Sequence, residues 1–522
     1  MRVFSLRAWV LLLISSVLQV LIFPLAGPLP IWRSALAWFA MAPLLAALLP
    51  ADRVWKPWEA ALLGYAGGVL WYLGTCYWIY QTMNLYGGMG PALAFLILIL
   101  FCLYLGLYHA LFAFLLALVR RGLGLRAALA AAPFLWIAVE LARARVTSFP
   151  WNLLGYAQVD NGVLTQLAPL TGVYGISFVL AAVNAAIACT LVLPRRRTTA
   201  VIAMAGALIA TAVQNAGAWF RPAEMKGSQK AVLMQPNLLV GAGEQGSAAN
   251  LSLAFARLTL QASLLDNRHT AVALWPESPS PFQTNREDFT AAAAFVAKQL
   301  QAPLIAGAMG VVPNAAGDRI EHIYNSAALF TPDAGLAGRY DKIHLVPFGE
   351  YVPYANLFKF ASGLTQQVGA SDRGNDSRMP ISAVSHRYGV FLCYESIFGD
   401  EIRHFVANGA EVLTNLSDDG WYGDTSAPFQ HINMARMRAI ENRRWLLRDT
   451  NSGITASIDP NGRIVERMER HTRGAVEVHF DYRTDLTFYT LHGDIFAYVC
   501  TLLALAALVL GFVRTSAEVK AQ

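Results

Sequence analysis

Windows of about 20 consecutive apolar residues, each long enough to cross a hydrocarbon layer of roughly 30 Å, recur along this chain and leave few folds open to it. They fall at Ala8 to Leu25, Ile31 to Leu49, Ala60 to Tyr80, Pro91 to Leu118, Leu123 to Leu141, Val173 to Leu193, Ala200 to Trp219 and Asp494 to Val513. The reading is eight spans, although the first two are short and closely joined and also read as one broken helix. With 56% hydrophobic and 14% charged residues, the chain is too apolar for an ordinary soluble enzyme.

Basic residues orient the spans. Alternate connections carry Arg2 and Arg7, then Arg53 and Lys56, then Arg120, Arg121 and Arg126, then Arg195 to Arg197, and the tail adds Arg514 and Lys520. The connections between, Ala26 to Pro30 and Met83 to Gly90, have no Lys or Arg. The positive-inside rule then puts both termini in the cytoplasm, with Arg143 and Arg145 as exceptions at the outer end of the fifth span. This pattern accounts for the net charge of +6 without nucleic acid. The N-terminus resembles a signal peptide but shows no small-x-small cleavage site, so an uncleaved first helix is expected.

The expected division is a membrane domain of seven helices over residues 1–220, an extracytoplasmic domain over 221–493, and a last helix with its tail over 494–522. In the middle segment β-type runs (Ala231 to Gln235, Ala271 to Trp275, Pro303 to Ala308, Ser326 to Thr331, Val390 to Leu392, Glu411 to Asn415) alternate with helical patterns (Ser252 to Leu265, Arg286 to Gln301, Ile397 to Ala407, Ala427 to Asn442). Alternation of this kind predicts a layered α/β fold, and about 270 residues suffice for one large core. There is no internal repeat, Gly-rich phosphate loop or His-Glu-x-x-His spacing, and neither a metal nor a cofactor is expected.

Four of the five cysteines (Cys76, Cys102, Cys189, Cys500) lie in the apolar runs; Cys393 is alone in the middle segment. A lone cysteine there is either an inert small hydrophobe or a nucleophile. Its setting, between the apolar run Tyr388 to Leu392 and the helical pattern from Ile397, predicts a strand-to-helix elbow that exposes the side chain near a helix dipole's positive end. Reacting groups of open α/β folds gather at the carboxyl ends of strands. That rule gathers Glu277, Cys393 and the stretch Asn415 to Trp421 on one rim.

Leu-Trp-Pro-Glu277-Ser, Tyr-Asp-Lys342-Ile-His-Leu-Val-Pro-Phe-Gly-Glu350-Tyr-Val-Pro and Leu-Cys393-Tyr-Glu395-Ser resemble the Glu, Lys and Cys motifs of the nitrilase (carbon-nitrogen hydrolase) superfamily. The layout of spans, Phe149-Pro150-Trp151 before the sixth, and a nitrilase-like insert before the last resembles the apolipoprotein N-acyltransferase family over nearly the whole chain. The resemblance implies an αββα sandwich on a polytopic helical membrane domain in the bacterial inner membrane, with the sandwich in the periplasm. It implies a ping-pong acyl transfer from a phospholipid, phosphatidylethanolamine by expectation, through a Cys393 thioester to the α-amino group of a diacylglyceryl-cysteine apolipoprotein.

In that reading Cys393 is the nucleophile, Glu277 the general base, and Lys342 the cation that lowers the thiol pKa and stabilises the oxyanion. Glu350 orients Lys342, Glu395 supports the site's geometry, and the Tyr394 N–H adds an oxyanion donor. His344, two residues from Lys342, is a rival base. Trp421, Tyr422 and Asn415 are expected as walls, Phe358 and Phe360 as a lipid entrance, and Gly363 to Met379 as a lid. Two departures from the family stand out: Leu238 to Asn250 has no aromatic residue, and Asp418-Asp419 replaces the usual Asn-Asp. The same trio would also serve a membrane-tethered amidase or nitrile hydrolase. A transporter or sensor with an inactive nitrilase-like domain would need ionisable residues in its spans, where Glu140 is the one candidate.

Overall fold

In the computed structural model the residues described are all but 1–3, 194–196, 220–224, 241–247, 266–269, 278–281, 348, 352–370 and 521–522. The expected lipid-entrance residues Phe358 and Phe360, and residues 363–370 of the expected lid, lie outside the described residues. The apolar part comprises α1 (Leu6–Leu21), the broken α2 (Ile31–Leu48), α3 (Pro57–Thr75), α4 (Pro91–Leu123), α5 (Leu125–Val146), α6 (Val173–Val192) and α7 (Arg197–Trp219). A last helix of this kind, which is numbered α12 below, spans Ile495–Lys520.

Six of these are long and apolar enough to cross a membrane; α1, with 16 residues, and α3 are not among the six. The eight expected spans thus include two weaker ones, and α3 shows why. It is diluted by Gly64, Gly67, Gly68 and Gly74, residues chosen for contact rather than for apolarity. A Cβ at Gly64 would lie 2.5 Å from that of Ala113, and one at Gly68 2.7 Å from that of His109. Small residues let α3 and α4 approach backbone to backbone, as packed helices in lipid require.

Between α7 and the last helix lies an αββα sandwich. One sheet runs β12-β1-β2-β3-β4-β5 and the other β11-β10-β9-β8-β7-β6. The strands are β1 (Gln229–Gln235), β2 (Thr270–Trp275), β3 (Leu304–Pro313), β4 (Ile320–Thr331), β5 (Gly335–Asp341), β6 (Ile381–Ala383), β7 (His386–Leu392), β8 (Val412–Ser417), β9 (Leu446–Thr450), β10 (Thr455–Ile458), β11 (Ile464–Met468) and β12 (Gly474–Phe480). Strands β1, β2 and β3 run parallel, as do β7, β8 and β9. The helices are α8 (Ala248–Ser263), α9 (Glu287–Leu300), α10 (Gly399–Ala407) and α11 (Ala427–Asn442).

Strand alternation sorts the core. Ala231 and Leu233 of β1 face the second sheet, where they join Val390, Phe391 and Leu413. Val232 and Met234 pack with Leu251, Phe255, Ala293 and Val296 of α8 and α9. On the other side α10 and α11 lie between the second sheet and the apolar helices. The helices' own buried cluster extends into Tyr394, Ile397, Tyr422, Met434, Met437 and Ile440.

The two arginines that break the charge asymmetry are held by this junction. Arg143 is buried and donates to the Tyr72 hydroxyl (3.1 Å) and the Trp151 carbonyl (2.9 Å). Arg145 pairs with Asp400 at the start of α10 (2.7 Å) and with Asp494 just before α12 (2.5 Å).

Candidate active site

Three strand ends converge on one rim, as the topology rule requires. Glu277 lies two residues past β2, Lys342 directly follows β5, and Cys393 directly follows β7. All three are at least nine-tenths buried.

Lys342 Nζ donates to Oε1 of Glu277 (3.1 Å) and to Oε1 of Glu350 (3.0 Å). Asn325 on β4 spans the same two oxygens, its Nδ2 lying 2.6 Å from each. The remaining oxygen of Glu277 accepts from the Asp418 N–H at 3.1 Å, and that of Glu350 from the Val346 N–H at 2.8 Å. Two carboxylates therefore face one ammonium and one amide, an arrangement in which every carboxylate oxygen has a donor. Burial works against the charge on Lys342, but Glu277 and then Glu350 outweigh it and the pKa is raised. The lysine is a fixed cation.

Cys393 has φ +41°, in the left-handed region that a non-glycine residue enters only when its surroundings force it. This is the elbow. The turn that follows is a 3-10 helix over Cys393–Ile397, and α10 starts six residues on, at Gly399. The expected helix dipole is thus carried by a single tight turn.

Burial raises the Cys393 pKa, Glu277 raises it further, and Lys342 pulls it back only in part. Lys342 thus acts on the thiol in the expected direction, but burial and Glu277 outweigh it. Glu277 and Asp419 are the carboxylates whose charge is felt at the sulfur.

Glu395 ties the elbow to the lysine segment. Its Oε1 accepts from the Tyr340 hydroxyl (2.8 Å) and the N–H groups of Ile343 (2.8 Å) and His344 (3.0 Å), and its Oε2 from the Leu392 N–H (2.7 Å). Burial raises its pKa, and these donors oppose the rise. One side chain thereby sets the spacing between Cys393 and Lys342.

His344 is not aimed at the sulfur. Its ring stacks on Phe398 (centroids 3.8 Å apart) and its Nδ1 meets Glu401 at 3.2 Å, where it lines a cavity of about 160 Å³ with Arg145, Asp400 and Arg438. Tyr422 is buried near Cys393 and packs edge-on against Trp78 of the helical part. Trp421 is half-buried, its carbonyl accepting from Thr82 at 3.1 Å. Asn415, expected as a wall, is instead fully buried inside β8: its amide donates to the Phe391 carbonyl and its oxygen accepts from Arg448. A strand-interior position turns that side chain under the rim rather than over it.

Asp418 is buried, and its pKa is pushed up to about 8 by burial, with Glu277 adding to the rise. Asn451 Nδ2 lies 3.1 Å from both its oxygens. Asp419 is held well below the usual carboxylate range: burial opposes this, but Arg448 and then His431 outweigh it. Asn325, His431 and Arg448 escaped the sequence reading, because each reaches the rim from a strand or helix whose local pattern signals only core.

Comparisons with known proteins agree over both halves. Residues 6–186 match the family model described as "Apolipoprotein N-acyltransferase N-terminal domain", and residues 254–484 match that described as "Carbon-nitrogen hydrolase". A curated relative from Geobacter metallireducens, named apolipoprotein N-acyltransferase, is 33% identical over 98% of this chain and 96% of its own length. One of the same name from Nitrosomonas europaea is 32% identical over 82% of this chain and 83% of its own. Among solved structures, Saccharomyces cerevisiae Nit3, a member of branch 10 of the nitrilase superfamily, is 18% identical, covering 50% of this chain and 93% of its own at a TM-score of 0.37.

Proposed function

The chain belongs to the apolipoprotein N-acyltransferase family, and on that premise we propose that it N-acylates lipoproteins through a thioester on Cys393. The observation that carries this reading is the pairing of buried Lys342 with Glu277 and Glu350 beside the Cys393 elbow.

In the first half-reaction Glu277 takes the Sγ proton as sulfur attacks the carbonyl carbon of a phospholipid ester, with the sn-1 chain of phosphatidylethanolamine as donor. The tetrahedral oxyanion is met by Lys342 and the Tyr394 N–H. The C–O bond then breaks, Glu277 returns the proton to the departing alcohol, and the thioester remains. In the second half-reaction the α-amino group of a diacylglyceryl-cysteine attacks the thioester. Glu277 takes the amine proton, the C–S bond breaks, and the proton passes to the sulfur. The products are an amide and the free thiol, so the cycle is ping-pong and closes without a cofactor.

Both substrates are lipid-anchored, which gives the apolar helices their purpose. We place the chain in the inner membrane, with 1–220 and 494–522 as its membrane parts, both termini cytoplasmic and the sandwich over 221–493 periplasmic. The charge asymmetry of the connections supports this orientation.

Intact-mass measurement after incubation with phosphatidylethanolamine, then with a diacylglyceryl-cysteine peptide, tests the scheme. The expected result is a hydroxylamine-labile acyl adduct on Cys393 that the peptide removes as it becomes N-acylated. An adduct discharged by water alone would instead make this a hydrolase, and absence of an adduct in folded protein would reject the scheme.

A further inference from the structure

Behind the elbow lies a chain of fully buried polar groups that the scheme above does not use. His431 on α11 has its Nε2 3.0 Å from the Cys393 carbonyl oxygen and 2.7 Å from Ser396 Oγ, and its Nδ1 3.0 Å from Asp419. Arg448 Nη2 lies 2.9 Å from that same Asp419 oxygen and 3.1 Å from Nδ1. Ser, His and Asp in this order suggest a second nucleophile. However, Ser396, His431 and Asp419 are each 0% exposed, so no substrate meets that serine.

The geometry points to another role. We infer that His431 is a positioning residue: its Nε2–H holds the Cys393 carbonyl and, through the planar Cys393–Tyr394 peptide, aims the Tyr394 N–H at the oxygen of the reacting carbonyl. The inference rests on the assignment of Cys393 as nucleophile.

Three physical steps lead there. A carbonyl only accepts, so the ring nitrogen that bonds it must carry the proton. Arg448 supplies hydrogens on the opposite edge, to Nδ1 and to Asp419 together. Burial, and next Arg448, lower the pKa of His431, while its hydrogen bond to Asp419 raises it; the carbonyl contact, not the charge of the ring, fixes a proton on Nε2. Then a trans peptide is rigid, with its N–H directed opposite its C=O. Fixing the Cys393 oxygen on the α11 side therefore turns the Tyr394 N–H to the other side. Lastly, that N–H belongs to the first turn of a helix, where no intrahelical acceptor claims it.

The ring is held from the helical part of the molecule. Trp151, of the Phe149-Pro150-Trp151 segment, stacks on it with centroids 5.8 Å apart and planes 18° apart, and donates to the neighbouring Gln430 at 2.7 Å. Gln430 in turn donates to the carbonyls of Pro24 and Thr75. The oxyanion donor's direction is thus referred back to the apolar helices.

The test separates chemistry that builds an oxyanion from chemistry that does not. Full-length protein in detergent is treated either with phosphatidylethanolamine micelles, giving the thioester, or with iodoacetamide, which alkylates sulfur by direct displacement. Both products are quantified on the Cys393 peptide. With His431→Phe the acylation rate should fall about 10²-fold while alkylation stays within about threefold of the parent. His431→Gln, which carries an N–H where Nε2 stood, should recover acylation to within about tenfold of the parent and exceed His431→Asn, which does not reach.

Should the phenylalanine variant fail to fold, the glutamine–asparagine contrast decides alone. Equal losses of acylation and alkylation, unchanged acylation in a folded variant, or equal rates for the amide pair would each overturn the inference. Parent protein that alkylates at Cys393 yet never forms a thioester would overturn the proposed function, and this inference with it.

Discussion

Helices α9 and α11 hold equivalent places in the two halves of the sandwich, each covering the outer face of one sheet, yet their burial has little in common. Helix α9 buries one stripe, Phe289, Ala293, Val296, Ala297 and Leu300, and leaves Phe295 63% exposed. Helix α11 is buried along its whole length apart from half-buried Phe429, even though it carries Gln430, His431, Asn433, Arg436, Arg438, Glu441 and Asn442. The difference is what lies beyond. Helix α9 faces outward, whereas α11 is pressed between its sheet and the apolar helices.

A polar helix survives such a place only if its buried charges are paired. Arg438 binds Glu441 (2.9 Å), the Tyr156 hydroxyl (3.1 Å) and the Ile397 carbonyl (3.2 Å), and Arg436 reaches Asp160 at 2.6 Å. Glu441 accepts from the N–H of Val173 at the start of α6. Polar residues on α11 therefore act as a specific seam, and the Cys393 elbow stands on it.

The strongest challenge to this picture is at the rim that both halves share. Cys393→Ala from the second half, or Glu277→Gln from the first, should each reduce acyl-enzyme formation by on the order of 10⁴-fold or more, read by intact mass. If only one of them did so, the rim would not be a joint site.

Lys342→Met should lower the acylation rate by about 10²–10³-fold, and, by leaving Glu277 and Glu350 without their cation, should also cost roughly 3–5 kcal/mol of stability. A rate loss without a fall in the denaturation midpoint would mean that the buried carboxylates had not depended on the lysine.

The seam itself is sharpened by paired substitutions. Arg438→Ala on α11 strands the buried Glu441 and should destabilise by roughly 3–5 kcal/mol, whereas Phe295→Ser on α9 should stay within about 0.5 kcal/mol. Denaturation of both variants in the same detergent gives the contrast directly, and similar losses would dissolve the distinction between the helices.

A last effect, read against pH, is at Asp418. Its pKa rises on folding from an ordinary 3.8 to about 8, so the folded state holds a proton that the unfolded chain releases. The stability this contributes is complete below pH about 4 and is lost as pH climbs through 8. Asp418→Asn, which imitates the protonated acid, should be spared that loss. Its melting temperature should pull ahead of the parent's between pH 5 and 9, and a constant offset would exclude the buried proton.

Legibility followed the range of the signal. Helix α11 was bounded correctly as Ala427 to Asn442 from its local pattern, and β2 to within one residue. Strands β5, β6 and β9 to β12 were not anticipated: β5 (Gly-Leu-Ala-Gly-Arg-Tyr-Asp) carries two glycines and two charges, and gains its place by pairing with β4. At the site, Glu277, Lys342 and Cys393 were named because each lies within a short motif that resembles those of the nitrilase superfamily. Asn325 was missed because nothing near it in the chain distinguishes an amide that spans two carboxylates from one that faces solvent.

Sequence alone determined the apolar spans, the alternation of strand and helix between them, and the three candidate reacting groups, since the first two are written in composition and spacing and the third in short motifs that resemble those of a known family. Tertiary structure alone decided that Cys393 is buried, that Glu395 spaces it from Lys342, and that α11 is buried on every side. These depend on distances between residues far apart in the chain and on the desolvation that packing imposes, and neither quantity exists until the chain has folded.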